Sequence, residues 1–501
     1  MLACLTDRAR VHFVLATQFE IPTWSIDLLK TSISLYRVAL GLTDDQNLTI
    51  DASYNLAESL IALADQMEDE SSQAAAKKEV RSHRMEACQV LSTVFAGQRE
   101  FLEKQEKPSE VTGNDDGDEA MDEVPAGEVK ASTAPMAAET PGDAAGEQEA
   151  SYEVYLPTPS VLVDTALLLL STHLALWSTA EPTQIPSDNA QATVRKILDA
   201  TNQFCPPERQ IELDMQEIKV LLTVDEVVYD SVKDTPEAQV AGSGTERSLL
   251  GSVQAFAAVG AGLEAGTEAG TSAANEIEIK ADLLTSISEA YMSIAMRLIR
   301  QSTGPEFLAQ AWTYLSTGIQ NLQAAQALRM PALTRREFEA STCILLSQAE
   351  LERARLSHRG EGFEAAKTNW STLLTNAEAY CSKALEALGS TWKTLLSENV
   401  ETPSLAGWEQ ELLARNAILQ LLRVCHFAIA GAEPADQAQH KAKAEVVVDN
   451  SGKLASAKRS LTPRDVERFV EDLIDNEGAL ASEEMSFWAG VEKAVSAYPS
   501  S

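Results

Sequence analysis

The sequence predicts an all-α fold built of antiparallel helix pairs, and three observations carry that prediction. Ala, Leu, Glu and Gln fill the long runs; these are strong helix formers, whereas Val, Ile and Thr dominate no stretch of strand length. Apolar residues recur at spacings of three and four rather than two. Leu283, Ile287, Ala290, Ile294 and Leu298 mark one face, and Leu308, Trp312, Leu315, Ile319, Leu322 and Ala325 the next. Connections between such segments are a few residues long, which makes successive helices antiparallel neighbours. The 501 residues, 45% of them hydrophobic, suffice for two or three ordinary domains or for one extended solenoid.

Taken in order, residues 1–104 read as a first helical block. Residues 105–150 follow as an acidic linker with VTGNDDGDEAMDEVPAGEV at its centre. It is too poor in large apolar side chains to offset its ordering entropy, so it is expected to be disordered. The second block, 151–237, carries helices over Ser160–Ser178, Asn189–Phe204 and Arg209–Tyr229, with Cys205-Pro206-Pro207 as a stop. Residues 238–274 form a Gly/Ala-rich segment, expected to be flexible, with a short helix over Ser248–Val259.

The third block, 275–432, predicts five helices. Asn275–Arg300 opens on an Asn cap, and Pro305–Leu328 starts with Pro in its first turn. Leu333–Leu356, Gly362–Leu388 and Leu405–Ile429 follow. A second linker is expected over 433–460. Two short helices close the chain over 461–501, one opened by Thr462-Pro463-Arg464-Asp465 and one over Ser482–Ala494. The run Val161–Trp177 imitates a membrane span, but it is about 17 residues long and interrupted by Asp164 and His173, so it reads as a buried helix.

Some of these pairs carry a repeat pattern. Small residues let two antiparallel backbones approach, and bulky ones a turn away fill the space between them. Ser32–Thr43 has Tyr36 as the bulky and Ala39 as the close-contact residue, with Leu40 and Leu42 after it. Asp51–Ala64 continues with Tyr54, Asn55, Leu56, Ala57 and Leu60, and Arg84–Phe95 supplies Ala87, Leu91 and Val94. Ala377, Tyr380 and Ala384 repeat the arrangement in Asn376–Leu388. In these segments, about a fifth of the chain, the sequence resembles the tetratricopeptide-repeat family, whose helix pairs recur at about 34 residues.

The resemblance implies an irregular right-handed superhelix whose first helices line a concave groove for a peptide or protein. Tyr54, Asn55 and Glu58 fall on such a helix and are the candidate partner-binding residues. Family members that clamp acidic tails use Lys and Asn there. The Lys is missing here, so an acidic tail is not the expected ligand.

Charge points the same way. Forty basic against 75 acidic residues give −35, which repels nucleic-acid phosphates and anionic membranes and attracts basic proteins. The excess acid also serves solubility alone. Among helical-repeat proteins, acidic insertions occur in chaperones of histones and of ribosomal proteins. The resemblance therefore implies a chaperone or adaptor for a basic client; the alternative is a structural subunit of a larger complex.

No chemistry stands out. The six cysteines, Cys4, Cys88, Cys205, Cys343, Cys381 and Cys425, are scattered singly and read as thiols in a reducing compartment, cytoplasm or nucleus. Asp7, Arg8 and Arg10 interrupt any secretory leader. The six histidines include no H-x-x-x-H spacing, and Gly242-Ser243-Gly244 lacks the strand and Gly-Lys-Ser/Thr of a phosphate loop. Cys425-His426 are neighbours that point about 100° apart on a helix. No catalytic residue, metal site or cofactor is predicted, and basic residues cluster only at 77–84 and 441–464, the latter a solvated loop or a nuclear-import signal.

Overall fold

The computed structural model describes residues 2–17, 24–43, 45–70, 74–106, 157–179, 186–232, 273–301, 304–332, 334–359, 362–389, 408–431, 434–455, 461–477 and 480–497, with most of 250–258. Among the described residues there is no strand. The N-terminal helices are α1 (Leu2–Thr17), α2 (Ser25–Leu40), α3 (Gln46–Glu70), α4 (Ala74–Glu106), α5 (Pro159–Ser178), α6 (Asp188–Asn202) and α7 (Gln210–Val232). The C-terminal ones are α8 (Ala273–Gln301), α9 (Pro305–Gln326), α10 (Arg335–Arg355), α11 (Glu364–Leu388), α12 (Trp408–Gly431), α13 (Pro434–Ala455), α14 (Pro463–Glu477) and α15 (Ser482–Ser496).

Side chains placed by the sequence stop and start these helices. Asp45 Oδ1 accepts from the amides of Asn47 (2.9 Å) and Leu48 (3.1 Å) at the start of α3. Thr158 and Ser187 cap α5 and α6 through the amides of Val161 and Ala190. At α14 the capping is reciprocal: Thr462 Oγ1 accepts from the Asp465 amide (3.2 Å), and Asp465 Oδ2 accepts from the Thr462 amide (2.7 Å). Gly362, at φ 77°, turns the chain into α11, where a Cβ would lie 2.4 Å from the Ser357 carbonyl oxygen.

Most helices pack on their neighbours in sequence. α1 to α5 lie against one another in order, α8 pairs with α9, α10 with α11, α12 with α13 and α14 with α15. Their buried residues form a chain of cores rather than one. The first runs from Ala9 on α1 to Val227 on α7. The second takes Met215 and Ile218 from the other side of α7 and continues through α8, α9 and α10. The last joins α10 to α15 around Leu421, Leu422 and Trp488. α7 thus belongs to two cores, which makes it the seam between the halves. This is the quasi-linear construction of a helical repeat protein, each unit burying its apolar face on the next.

The period differs from the tetratricopeptide one. α8 begins at Ala273, α10 at Arg335 and α12 at Trp408, so these two pairs take about twice the roughly 34 residues of that unit. The 29-residue α8 lengthens the first, and the stretch between Leu388 and Trp408 lengthens the second. The expected close contacts are present, with Ala39, Ala57, Ala377 and Ala384 all at 0% exposure and Tyr36 at 2%.

One expectation changes. Residues 433–460 are not a linker: Pro434–Ala455 is helix α13, packed on α12 and α15 through Ala444, Val447 and Val448. Its polar, Ala- and Lys-rich sequence has a single short apolar run, too little to mark a face by periodicity. Most of the 105–150 segment lies outside the described residues, as does most of 238–274. In the latter, the described residues between 250 and 258 are helical, and Val253 is buried against the second core.

α5 and α12 are long and apolar enough to cross a membrane. α5 lies between α4 and α7, its Leu162, Leu169 and Leu170 fully buried. Its Asp164 forms an ion pair with Arg209 (2.6 Å), which also binds Glu212 (2.6 Å).

Candidate binding groove

Two cavities are lined by helices from successive pairs. In the N-terminal half, α1, α3 and α5 contribute Phe13, Glu58, Ile61, Gln66 and Leu168 to a cavity of about 310 Å³. Of the three sequence-predicted residues, Glu58 alone lines it. Burial raises its carboxyl above the usual range, against the opposing charge of Arg10. Asn55 is held within its own helix, its amide donating to the Asp51 carbonyl (2.7 Å) and carboxylate (3.2 Å). Tyr54 is half-buried against the first core. Gln66 lies at the back of the cavity, its Oε1 buried without a partner.

Beneath this cavity the helices are joined by neutral groups. Ser32 Oγ donates to the Ala9 carbonyl (2.9 Å) and lies 3.2 Å from Ser59 Oγ, tying α1, α2 and α3 at one point. Tyr36 beside them is pushed up to about 12 by burial and the nearby Asp51 carboxylate.

The second cavity, about 580 Å³, is enclosed by α7, α8, α10, α12 and α14. α14 completes it by lying against both α8 and α12, elements far apart in sequence. Its apolar wall includes Met292, Met296, Leu345, Phe469 and Leu473. Its acidic wall holds Glu226, Asp230, Glu289 and Asp472.

Two arginines face the same space, and both are engaged. Arg297 pairs with Asp225 at 2.8 Å and stacks on the Tyr229 ring at 4.3 Å. Arg423, 1% exposed, lies 3.3 Å from Glu352 and 3.6 Å from Glu484. The cavity therefore keeps a negative balance. Among the described residues no lysine or arginine comes within ion-pair distance of Glu226 or Glu289.

Both glutamates are reached by water yet hemmed in by protein, and partial desolvation raises each carboxyl above its ordinary value. Arg297 opposes the shift at Glu226, while Asp230 and Asp225 add to it. At Glu289, Asp282 and Glu226 add to it and Lys219 opposes. Behind them Gln420, 4% exposed, has its Nε2 buried without an acceptor.

None of these residues stands out in the sequence. Each is one polar position on an amphipathic helix, and they converge from helices up to 246 residues apart, Glu226 to Asp472. Among the described residues no three His, Cys, Asp or Glu side chains are placed to share a metal ion.

No known protein family matches the chain, and no curated protein does. Among solved structures it is similar to a circular tandem repeat protein with novel repeat topology and enhanced subunit contact surfaces. That match has 12% identity and a TM-score of 0.27, over 99% of this chain and 93% of the other. At that TM-score the two do not share a superposable backbone, and the architecture rests on the helix packing described above.

Proposed function

We propose that this chain is a protein-interaction scaffold, a dedicated chaperone or adaptor that holds a basic client protein of histone-like or ribosomal-protein-like charge. The observation that carries the reading is the pair of groove carboxylates, Glu226 and Glu289, in ion-pair contact with no resident cation among the described residues, since the nearby Arg297 and Lys219 pair with Asp225 and Asp282. Charge elsewhere supports it. Phe101–Ala150 holds 14 Asp or Glu against three Lys, a net of −11 within a total of −35, which steers a basic partner toward the chain and sets its encounter rate. In this reading the chain is not an enzyme and works in the cytoplasm or nucleus, where its six free cysteines stay reduced.

Capture of clients by the full chain at about 50 mM and about 500 mM salt tests it. A basic client held by charge is lost at the higher salt, because screening at that strength reaches within a few ångströms. Partners retained equally at both salts would overturn the reading. They would favour a structural subunit of a larger complex, which has its own support in Trp24, Val38, Leu42 and Leu48, apolar side chains left exposed around α2 and the start of α3.

A further inference from the structure

We propose that the cavity between α7, α8, α10, α12 and α14 is a subsite for one arginine or lysine side chain on an extended client segment, with the Gln420 amide binding a peptide carbonyl of that segment. The inference rests on the scaffold reading above and adds to it a place, a residue type and a backbone contact.

Four features converge on this ligand. At about 580 Å³ the cavity falls in the roughly 300–1,000 Å³ range of sites that enclose a ligand. Met292, Met296, Leu345 and Phe469 form an apolar wall, which suits the methylene stem of a long basic side chain. Glu226 and Glu289 line the same space and offer carboxylates in ion-pair contact with no resident cation among the described residues. Both are reached by water, but partial desolvation makes their charge costly in the empty groove, and an incoming cation lowers that cost.

The fourth feature selects a peptide over other cations. Gln420 lines the cavity and is almost wholly buried, its Nε2 donor has no partner, and a half-turn of the amide about its last bond presents that donor to the cavity. A buried donor left unmade is destabilising, and what completes it is an acceptor. A polyamine or an inorganic cation supplies none. A peptide supplies both parts, the cation to the glutamates and a carbonyl to the amide. The N-terminal cavity lacks this combination, because its Asp65 is spent on Arg84 (2.7 Å) and its unpartnered atom, Gln66 Oε1, is an acceptor.

The test uses the full chain at low salt and a fluorescein-labelled, capped heptapeptide with one Arg among Gly and Ser, followed by anisotropy. Lys and citrulline versions and free spermidine are run beside it. The Arg and Lys peptides should bind, and the citrulline peptide at least tenfold more weakly. Glu226→Gln with Glu289→Gln should weaken the Arg peptide at least tenfold. Glu100→Gln with Glu103→Gln on exposed α4, the same change in net charge, should move it less than twofold. Gln420→Leu should weaken the peptide at least threefold and leave spermidine unchanged.

The subsite is overturned if the two charge pairs weaken the Arg peptide equally, if the Arg peptide does not bind, or if spermidine binds as tightly and ignores Gln420→Leu while the peptide ignores it too. A failed subsite would remove the groove carboxylates as support, whereas the scaffold reading itself is tested separately, by the salt dependence of client capture.

Discussion

The two halves of the stack solve the same joining problem with different groups. In the N-terminal half, α1, α2 and α3 meet at Ser32 and Ser59, two neutral hydroxyls that satisfy each other and the Ala9 carbonyl. In the C-terminal half, α10, α12 and α15 meet at Arg423, enclosed by Glu352 and Glu484, with Arg355 also bound to Glu352 at 2.9 Å. Phe427 stacks under both guanidinium groups, at 5.2 Å from Arg355 and 5.8 Å from Arg423. Hydroxyls are short, and they suit helices in direct contact. A guanidinium reaches farther and takes two partners, which suits helices set apart around a larger cavity. The cost is that burying such charges is favourable only while the set is complete.

Breaking each junction is the most direct challenge to that contrast. Arg423→Met leaves Glu484 buried without its cation and Glu352 with Arg355 alone, and should cost about 3–5 kcal/mol. The closest N-terminal counterpart is Arg84, whose carboxylate partners Asp65 and Glu68 are 42% and 36% exposed. Arg84→Met should cost about 1 kcal/mol, as for pairs with solvated partners. Chemical denaturation followed by circular dichroism reads both. Equal losses would mean that the buried network is no more than a surface pair in its energetics.

Close helix packing, by contrast, should be common to both halves. Ala57 on α3 and Ala384 on α11 are each fully buried. Replacing either with Leu should overpack its contact and cost about 1–3 kcal/mol. If only one of the two is sensitive, the halves differ in packing as well as in charge.

This part of the architecture was legible in the sequence. Helix starts came from side chains that cap locally, such as Ser187, and Thr462 with Asp465, whose partners lie within three residues. The small residues at crossings were also readable, because Ala39, Ala57 and Ala384 repeat a pattern with Tyr36 and Tyr380. α13 was not, since among its residues with described burial Ala444, Val447 and Val448 form the buried stripe. Of the residues that line the two cavities, the sequence singled out Glu58 alone. Glu226, Glu289 and Gln420 look like ordinary solvated positions until α7, α8 and α12 are brought around one space.

The halves also respond to acid through one buried histidine each. Burial lowers His173 on α5 and His426 on α12 from the ordinary 6.5. At His426, Arg423 and Arg355 lower it further, while Glu484 and Glu483 oppose. The unfolded chain therefore binds these protons first, and stability falls as pH drops below about 6.5. Glu226 and Glu289 have raised pKa values, so they act in the opposite sense and favour the folded state as pH falls through their range. His173→Gln should flatten the acid limb of a Tm-against-pH profile, and Glu226→Gln with Glu289→Gln should steepen it. Profiles that move together in one direction would contradict these assignments.

The gentlest probe compares the two buried glutamines. Gln66 Oε1 and Gln420 Nε2 each lack a partner at the wall of their cavity, and each such group is a debit against the folded state. Leu has nearly the same volume and no polar atom to strand. Gln66→Leu and Gln420→Leu should therefore stabilise the empty chain, each by about 0.5–1 kcal/mol, a gain typical of removing one local flaw. Calorimetric Tm on the two variants measures it. The comparison sharpens when the Arg heptapeptide is added. Wild-type chain should gain Tm on binding it, because a ligand that binds only the folded state stabilises by mass action. The Gln66→Leu variant should gain as much as wild type, and the Gln420→Leu variant distinctly less. A residue that is stabilising to remove when the groove is empty, yet costly to remove when it is filled, is one kept for its ligand. If Gln420→Leu lowers the Tm of the empty chain, the amide is part of the core instead, and its partner lies within the protein.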